Sequence, residues 1–169
     1  DEFSPLSGVE LVKQKVKLVS VMGGNYNNEH DFAEWNILQD LKASQRTFSD
    51  CPVPLIASGW ELGTKLLYPA TSIENDFRDG DAHPLVISYK VYQPMPYDRP
   101  TWDLTSVLQA IEPEVDYFEL SPAGQITVDS IGKTHFEEKA DGLHRYIKLK
   151  ATPQVIVDSM ISKTTRRWK

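Results

Sequence analysis

Near the amino end, LVKQKVKLVSVMGG spaces its apolar residues first at helical and then at strand intervals. The run predicts a helix end followed by a short strand over 16–22, alternating and then continuous in apolar residues. Two glycines close it, as suits a strand end where backbone must turn or a ligand comes close. From Asp31 the period changes: Phe32, Trp35, Ile37, Leu38, Leu41, Ala43 and Phe48 fit one face of a helix packed on a core. Asp31 followed by Glu34 makes a capping-box-like start. PVPLIAS, at 52–58, predicts a second short strand bounded by proline. Strand, helix, strand, with polar residues at the carboxyl end of the first strand, is the grammar of a parallel α/β sheet. Ligands bind outside the strand ends of such sheets.

Beyond Gly63 the pattern is less regular. TSIENDFRDGDAH predicts a polar connection, PLVISYKVYQ a helix, and PMPYDRP a loop punctuated by proline. Thr101 is placed to cap a helix over WDLTSVLQAI. The grammar then turns to strands, YFELSPAGQITVDSIGKTHFEE and GLHRYIKLKA, broken by SPAG and SIGK turns. A Thr-Pro start opens a last helix over TPQVIVDSMISKTTRR. With no internal repeat and no low-complexity linker, residues 1–169 are expected to form a single domain. The expected fold class is α/β: an open, mostly parallel sheet flanked by helices, with a β-rich antiparallel carboxyl-terminal region.

Composition narrows the function. The chain has 169 residues, 40% hydrophobic and 25% charged, which suits one globular domain. A net charge of −6 argues against a nucleic-acid partner, which would call for a basic patch. KQKVK and KTTRRWK read as a solvated helix face and a tail. No apolar run approaches the ~18 residues of a membrane span, so no membrane partner is expected. A single cysteine, Cys51, excludes an intrachain disulfide and reads as a small buried hydrophobe.

The densest chemistry is MGGNYNNEHDFAEWNILQD, residues 22–40. Glu34 and Asn36 fall at a helix start beside a Gly-Gly strand end. There a carboxylate that accepts and an amide that both donates and accepts could hold polyol hydroxyls. Helix capping with a solvated polar loop would use the same residues. Trp102 and Asp103 divide in the same way, between a site and an aromatic core residue followed by a first-turn acid. His30, His83, His135 and His144 are scattered without zinc spacing. No serine lies in a G-x-S-x-G context, and no phosphate-binding G-x-x-x-x-G-K-[ST] occurs.

VKLVSVMGGNYNN…AEWNILQDLKAS, then VPLIASGWELG, then DRPTWDLTSVLQAI, in this order and spacing, resemble the nucleoside hydrolases. These are calcium-dependent enzymes that cleave the N-glycosidic bond of ribonucleosides. The resemblance covers nearly all of residues 5–150. It implies a ribose pocket walled by Met22, Asn28, Glu34, Trp35 and Asn36, with Asn25 or Asn27 as substitutes for Asn28. It implies Asp103 as a calcium ligand. At the preceding position one branch of the family has a base-protonating histidine, and this chain has Trp102. Indole is not usefully acidic, so the resemblance implies stacking on the leaving base and a purine preference. Arg99 could orient that turn by a charge-assisted bond.

One departure qualifies the resemblance. The family's aspartate-rich motif, source of most calcium carboxylates and of the water-activating base, is absent from the sequence. The chain thus resembles the carboxyl-terminal half of such an enzyme. Its expected partners are a nucleoside or ribose, the missing N-terminal half, and further copies of itself. Apolar strand faces left open by truncation predict self-association.

Overall fold

The computed structural model describes residues 3–27 and 31–166. Its helices are α1 (Gly8–Lys15), α2 (Trp35–Gln39), α3 (Leu41–Asp50), α4 (Trp60–Gly63), α5 (Ala70–Asn75), α6 (Pro84–Tyr92), α7 (Trp102–Ile111) and α8 (Pro153–Thr164). The strands are β1 (Val19–Met22), β2 (Leu55–Ser58), β3 (Leu67–Tyr68), β4 (Arg99–Pro100), β5 (Phe118–Leu120), β6 (Gly124–Val128), β7 (Thr134–Glu138) and β8 (His144–Leu149). The main sheet runs β1-β2-β8-β6-β7, with β5 also on β8. β1, β2 and β8 are parallel, whereas β5, β6 and β7 join antiparallel. The division into a parallel part and an antiparallel carboxyl-terminal part follows the sequence pattern. β3 and β4 form a separate two-stranded antiparallel pair.

Pleat alternation gives the central strands two apolar faces. Leu55 and Ala57 of β2 meet Ile37 of α2, Phe48 of α3 and Ile126 of β6 in one core. Ile56 and Ile147 turn the other way, into a larger core with Leu62, Leu108 of α7 and Ile156 of α8. Helices therefore cover both faces, the arrangement that lets a parallel sheet stay dry. β1 is an edge strand whose four residues are only half-buried. Beside it, Val107 and Ile111 of α7 are exposed.

Four expectations need correction. The helix expected from Asp31 onward is two helices, parted at Asp40 (φ −146°, ψ 89°), whose carboxylate caps Ala43 N–H at 2.9 Å. Asp31 makes no capping box: it pairs with Lys133 at 2.7 Å, and Glu34 is itself the N-cap. The connection over 71–83 contains α5, held by buried Ser72 and Ile73, and a turn of 3₁₀ helix. Finally, Thr101 precedes α7 but caps nothing with its hydroxyl, which donates to Leu66 O at 2.8 Å.

His144 marks where the parallel and antiparallel parts meet. Fully buried, it accepts from Ile126 N–H through Nδ1 at 3.0 Å. Burial holds its pKa below the ordinary 6.5. The unfolded chain therefore takes up a proton that the folded chain refuses. Its contribution is whole above that value and is lost as pH falls through the depressed one. Thermal melts are expected to shift downward from about pH 7 to 5, less so in His144→Asn, which keeps an acceptor without the titrating ring. An equal shift in both proteins would refute this.

Candidate functional site at the carboxyl ends of β1 and β2

β1 ends in Met22, in register with Ser58 at the end of β2, and Gly23 N–H donates to Ser58 O at 3.1 Å. The next residue, Gly24, has φ +87°, a conformation that side chains rarely adopt. A Cβ there would stand 2.7 Å from the Tyr26 hydroxyl. This turn carries the chain off the sheet and into the polar segment.

Glu34 is the hub of that segment. It is 4% exposed, and one oxygen, Oε2, accepts from Asn36 N–H at 2.9 Å and from Gly24 N–H and Ile37 N–H at 3.3 Å each. A single carboxylate thus caps α2 and ties it to the strand end, while the cap leaves Oε1 unused. Asn36 is exposed and reaches back to Met22, with Nδ2 2.9 Å from Sδ and 3.4 Å from the carbonyl oxygen. Trp35 between them is 68% exposed. Met22, Glu34, Trp35 and Asn36 therefore form one cluster, whereas Asn28 lies outside the described residues.

The other candidates enter through α7. Ser20 donates to Ser106 O at 2.8 Å, and the hydroxyls of Ser58 and Thr105 bond to each other. These contacts direct the amino end of α7 to the strand ends, on the face that Ser20 and Met22 share. Trp102 and Asp103 occupy its first turn. Trp102 is half-buried against Gly63, and its Nε1–H donates to Trp60 O at 3.1 Å. Trp60 N–H in turn donates to Gly24 O at 2.9 Å. One residue, Trp60, thereby links the Glu34 turn to Trp102.

Asp103 is exposed and lines a cavity of about 220 Å³ with Tyr68, Tyr89, Arg99 and Trp102. Among the described residues no hydrogen bond or ion pair joins Asp103 to Glu34 or Asn36; the linkage runs through Gly24, Trp60 and Trp102. Arg99 does not orient Asp103 by an ion pair. Its guanidinium sits 3.9 Å from the centre of the Tyr92 ring.

Sequence reasoning missed three contributors. Thr134 of β7 both donates to Asn25 O and accepts from Asn25 N–H, each at 3.0 Å. Glu61 accepts from Tyr26 N–H at 3.3 Å. Tyr26 stacks on Tyr146 at 5.0 Å and donates to Gly23 O. Burial, with Glu61 and Glu34 nearby, pushes the Tyr26 hydroxyl well above its ordinary value. Trp60 and Glu61 stand within SGWELG, a motif already visible in the sequence; Thr134 carried no local signal.

A calcium ion takes roughly six to eight oxygens. Among the described residues there is no group of three or more His, Cys, Asp or Glu side chains that could hold a metal ion. Asp103 alone does not make a calcium site.

The fold is a nucleoside-hydrolase-like α/β arrangement. An inosine-uridine preferring nucleoside hydrolase from Bacillus anthracis superposes with a TM-score of 0.64 at 18% identity, over 92% of this chain and 53% of that one. A plant nucleoside hydrolase gives 0.65 at 16% identity, over 94% and 56%. An inosine-guanosine nucleoside hydrolase gives 0.59 at 15% identity, over 84% and 50%. The chain spans about half the length of each. No family model matches the sequence, and no curated protein matches it. The likeness is one of fold.

Proposed function

We propose that this chain is the ribose-binding part of an N-ribosyl hydrolase that splits nucleosides, purine nucleosides by preference, into base and ribose. The observation that carries the proposal is the cluster of Met22, Glu34 and Asn36 at a strand end, beside exposed Trp35, in a nucleoside-hydrolase-like fold. In the reaction, water adds to the anomeric carbon as the C1′–N bond breaks, and the base leaves with a proton. Glu34 accepts from ribose hydroxyls through the oxygen its cap leaves unused. Asn36 and Asn28 donate and accept around the same diol. These groups orient the sugar rather than move protons. Trp102 stacks on the leaving base; its indole N–H, held by Trp60 O, serves as no acid.

Calcium enters the proposal through Asp103, which offers one carboxylate. The remaining ligands and the base that activates water come from polypeptide outside this chain. The half-buried edge of β1 and exposed Val107 and Ile111 give that polypeptide, or a second copy, a surface to cover. A second reading is a nucleoside-hydrolase-like module that binds a sugar or nucleoside without catalysis.

A reducing-sugar assay of the full-length protein with inosine and calcium separates the two. Hydrolysis is expected, and Asp103→Ala is expected to lower it by about 10²-fold or more, since even outer-shell partners of metal ligands cost about 10–100-fold when replaced. Inosine binding without ribose release would establish the module instead.

A further inference from the structure

Two carboxylates are buried among the described residues, and the proposed reaction uses only Glu34. The other, Glu61, is 8% exposed and opens α4 at the end of β2. Its side chain folds back over Gly59. A Cβ at Gly59 would stand 2.3 Å from Oε2 and 2.4 Å from Oε1, with Gly59 in ordinary extended backbone. From there both oxygens share Tyr26 N–H at 3.3 Å. Burial raises its pKa, against the lowering pull of its own amide, of Tyr26 N–H and of Lys65. A buried charge whose bonds reach only its own amide and one loop N–H is a poor way to stabilise a fold. It is a direct way to fix where a loop lies.

The loop in question is the one beside the candidate ribose pocket. Gly24 is tied by Glu34 on one side and Trp60 on the other, and Asn25 by Thr134. Tyr26 is held by Glu61 just before Asn27, whose N–H donates to Asn25 Oδ1 at 3.4 Å. We propose that Glu61, seated on Gly59, is a positioning residue for the ribose clamp. It touches no ligand and sets the clamp's geometry by holding the Tyr26 amide. This rests on the reading that Met22, Glu34 and Asn36 bind ribose.

Inosine titrated into the ¹⁵N-labelled full-length protein with calcium, followed at the Gly24 and Asn36 amides, tests it. Wild type is expected to show saturable shifts. Glu61→Ala is expected to weaken binding about tenfold, with faster Tyr26 amide exchange and a still dispersed spectrum. Glu61→Gln is expected to recover most of the affinity, since its amide oxygen still accepts from that N–H. Gly59→Ala is expected to weaken binding like Glu61→Ala: its methyl pushes the carboxylate aside without removing the charge. It keeps the test in force should Glu61→Ala fail to fold. Binding by wild type with Gly59→Ala and Glu61→Ala within about twofold of it overturns the positioning role and leaves the clamp intact. No binding by wild type removes the clamp reading and this inference with it.

Discussion

Glu34→Ala is expected to lower the unfolding free energy of the chain by about 2–3 kcal/mol, read from urea denaturation at unchanged slope. Loss of a side-chain N-cap costs about 0.5–2 kcal/mol by itself. Here the same oxygen also holds Gly24 N–H, ten residues away in sequence, and Glu34 is 4% exposed. Alanine would leave the donors at Gly24 and Ile37 without this acceptor, each buried N–H costing about 1–3 kcal/mol if water does not replace it. Glu34→Gln keeps an acceptor oxygen and is expected to lose about 1 kcal/mol. A loss below about 0.5 kcal/mol in Glu34→Ala would mean that the strand end is held by Trp60 and Ser58 alone. The result bears on the proposed clamp, in which sugar hydroxyls would meet Oε1 while the cap uses Oε2.

The sequence suggests two readings of Glu34, and the structure shows the capping one. Local pattern made β1, β2, α6, α7, α8 and the antiparallel strands legible, because each announces its period and its turns. The Met-Gly-Gly strand end and the acid-aromatic-amide triplet were legible as a polar cluster at a sheet end. The break at Asp40 was not, since the apolar face runs on across it and only the capping geometry parts the two helices. α5 was hidden because Ile73 is its one large buried apolar side chain in an otherwise polar stretch. Thr134 was invisible for another reason: its partner, Asn25, is 109 residues away, and a threonine in a strand is ordinary. The link between the Glu34 turn and α7 through Trp60 depends on backbone groups, on which side-chain patterns are silent.

Gly63→Ala addresses that link. Gly63 ends α4, and a Cβ there would stand 2.3 Å from Trp102 Cδ1 and 2.7 Å from Trp102 Cα. The second contact is backbone, so rotating the indole cannot relieve it. The start of α7 must shift. Thr101 N–H donates to Gly63 O at 3.3 Å and would be disturbed as well. Overpacking of this kind costs about 1–3 kcal/mol, expected as a lowered midpoint in denaturation. Gly8→Ala is the matched control, with nothing within 4 Å of its added methyl. It is expected to be neutral or stabilising by less than about 1 kcal/mol. The Trp102 indole N–H, bonded to Trp60 O in the native chain, is expected to exchange faster in Gly63→Ala. If stability falls while that exchange is unchanged, the strain has been absorbed in α4 and Trp102 keeps its place. If both change, Asp103 moves with the turn that carries it. Any ligand that depends on Asp103 should then bind more weakly although no group that touches the ligand has been replaced.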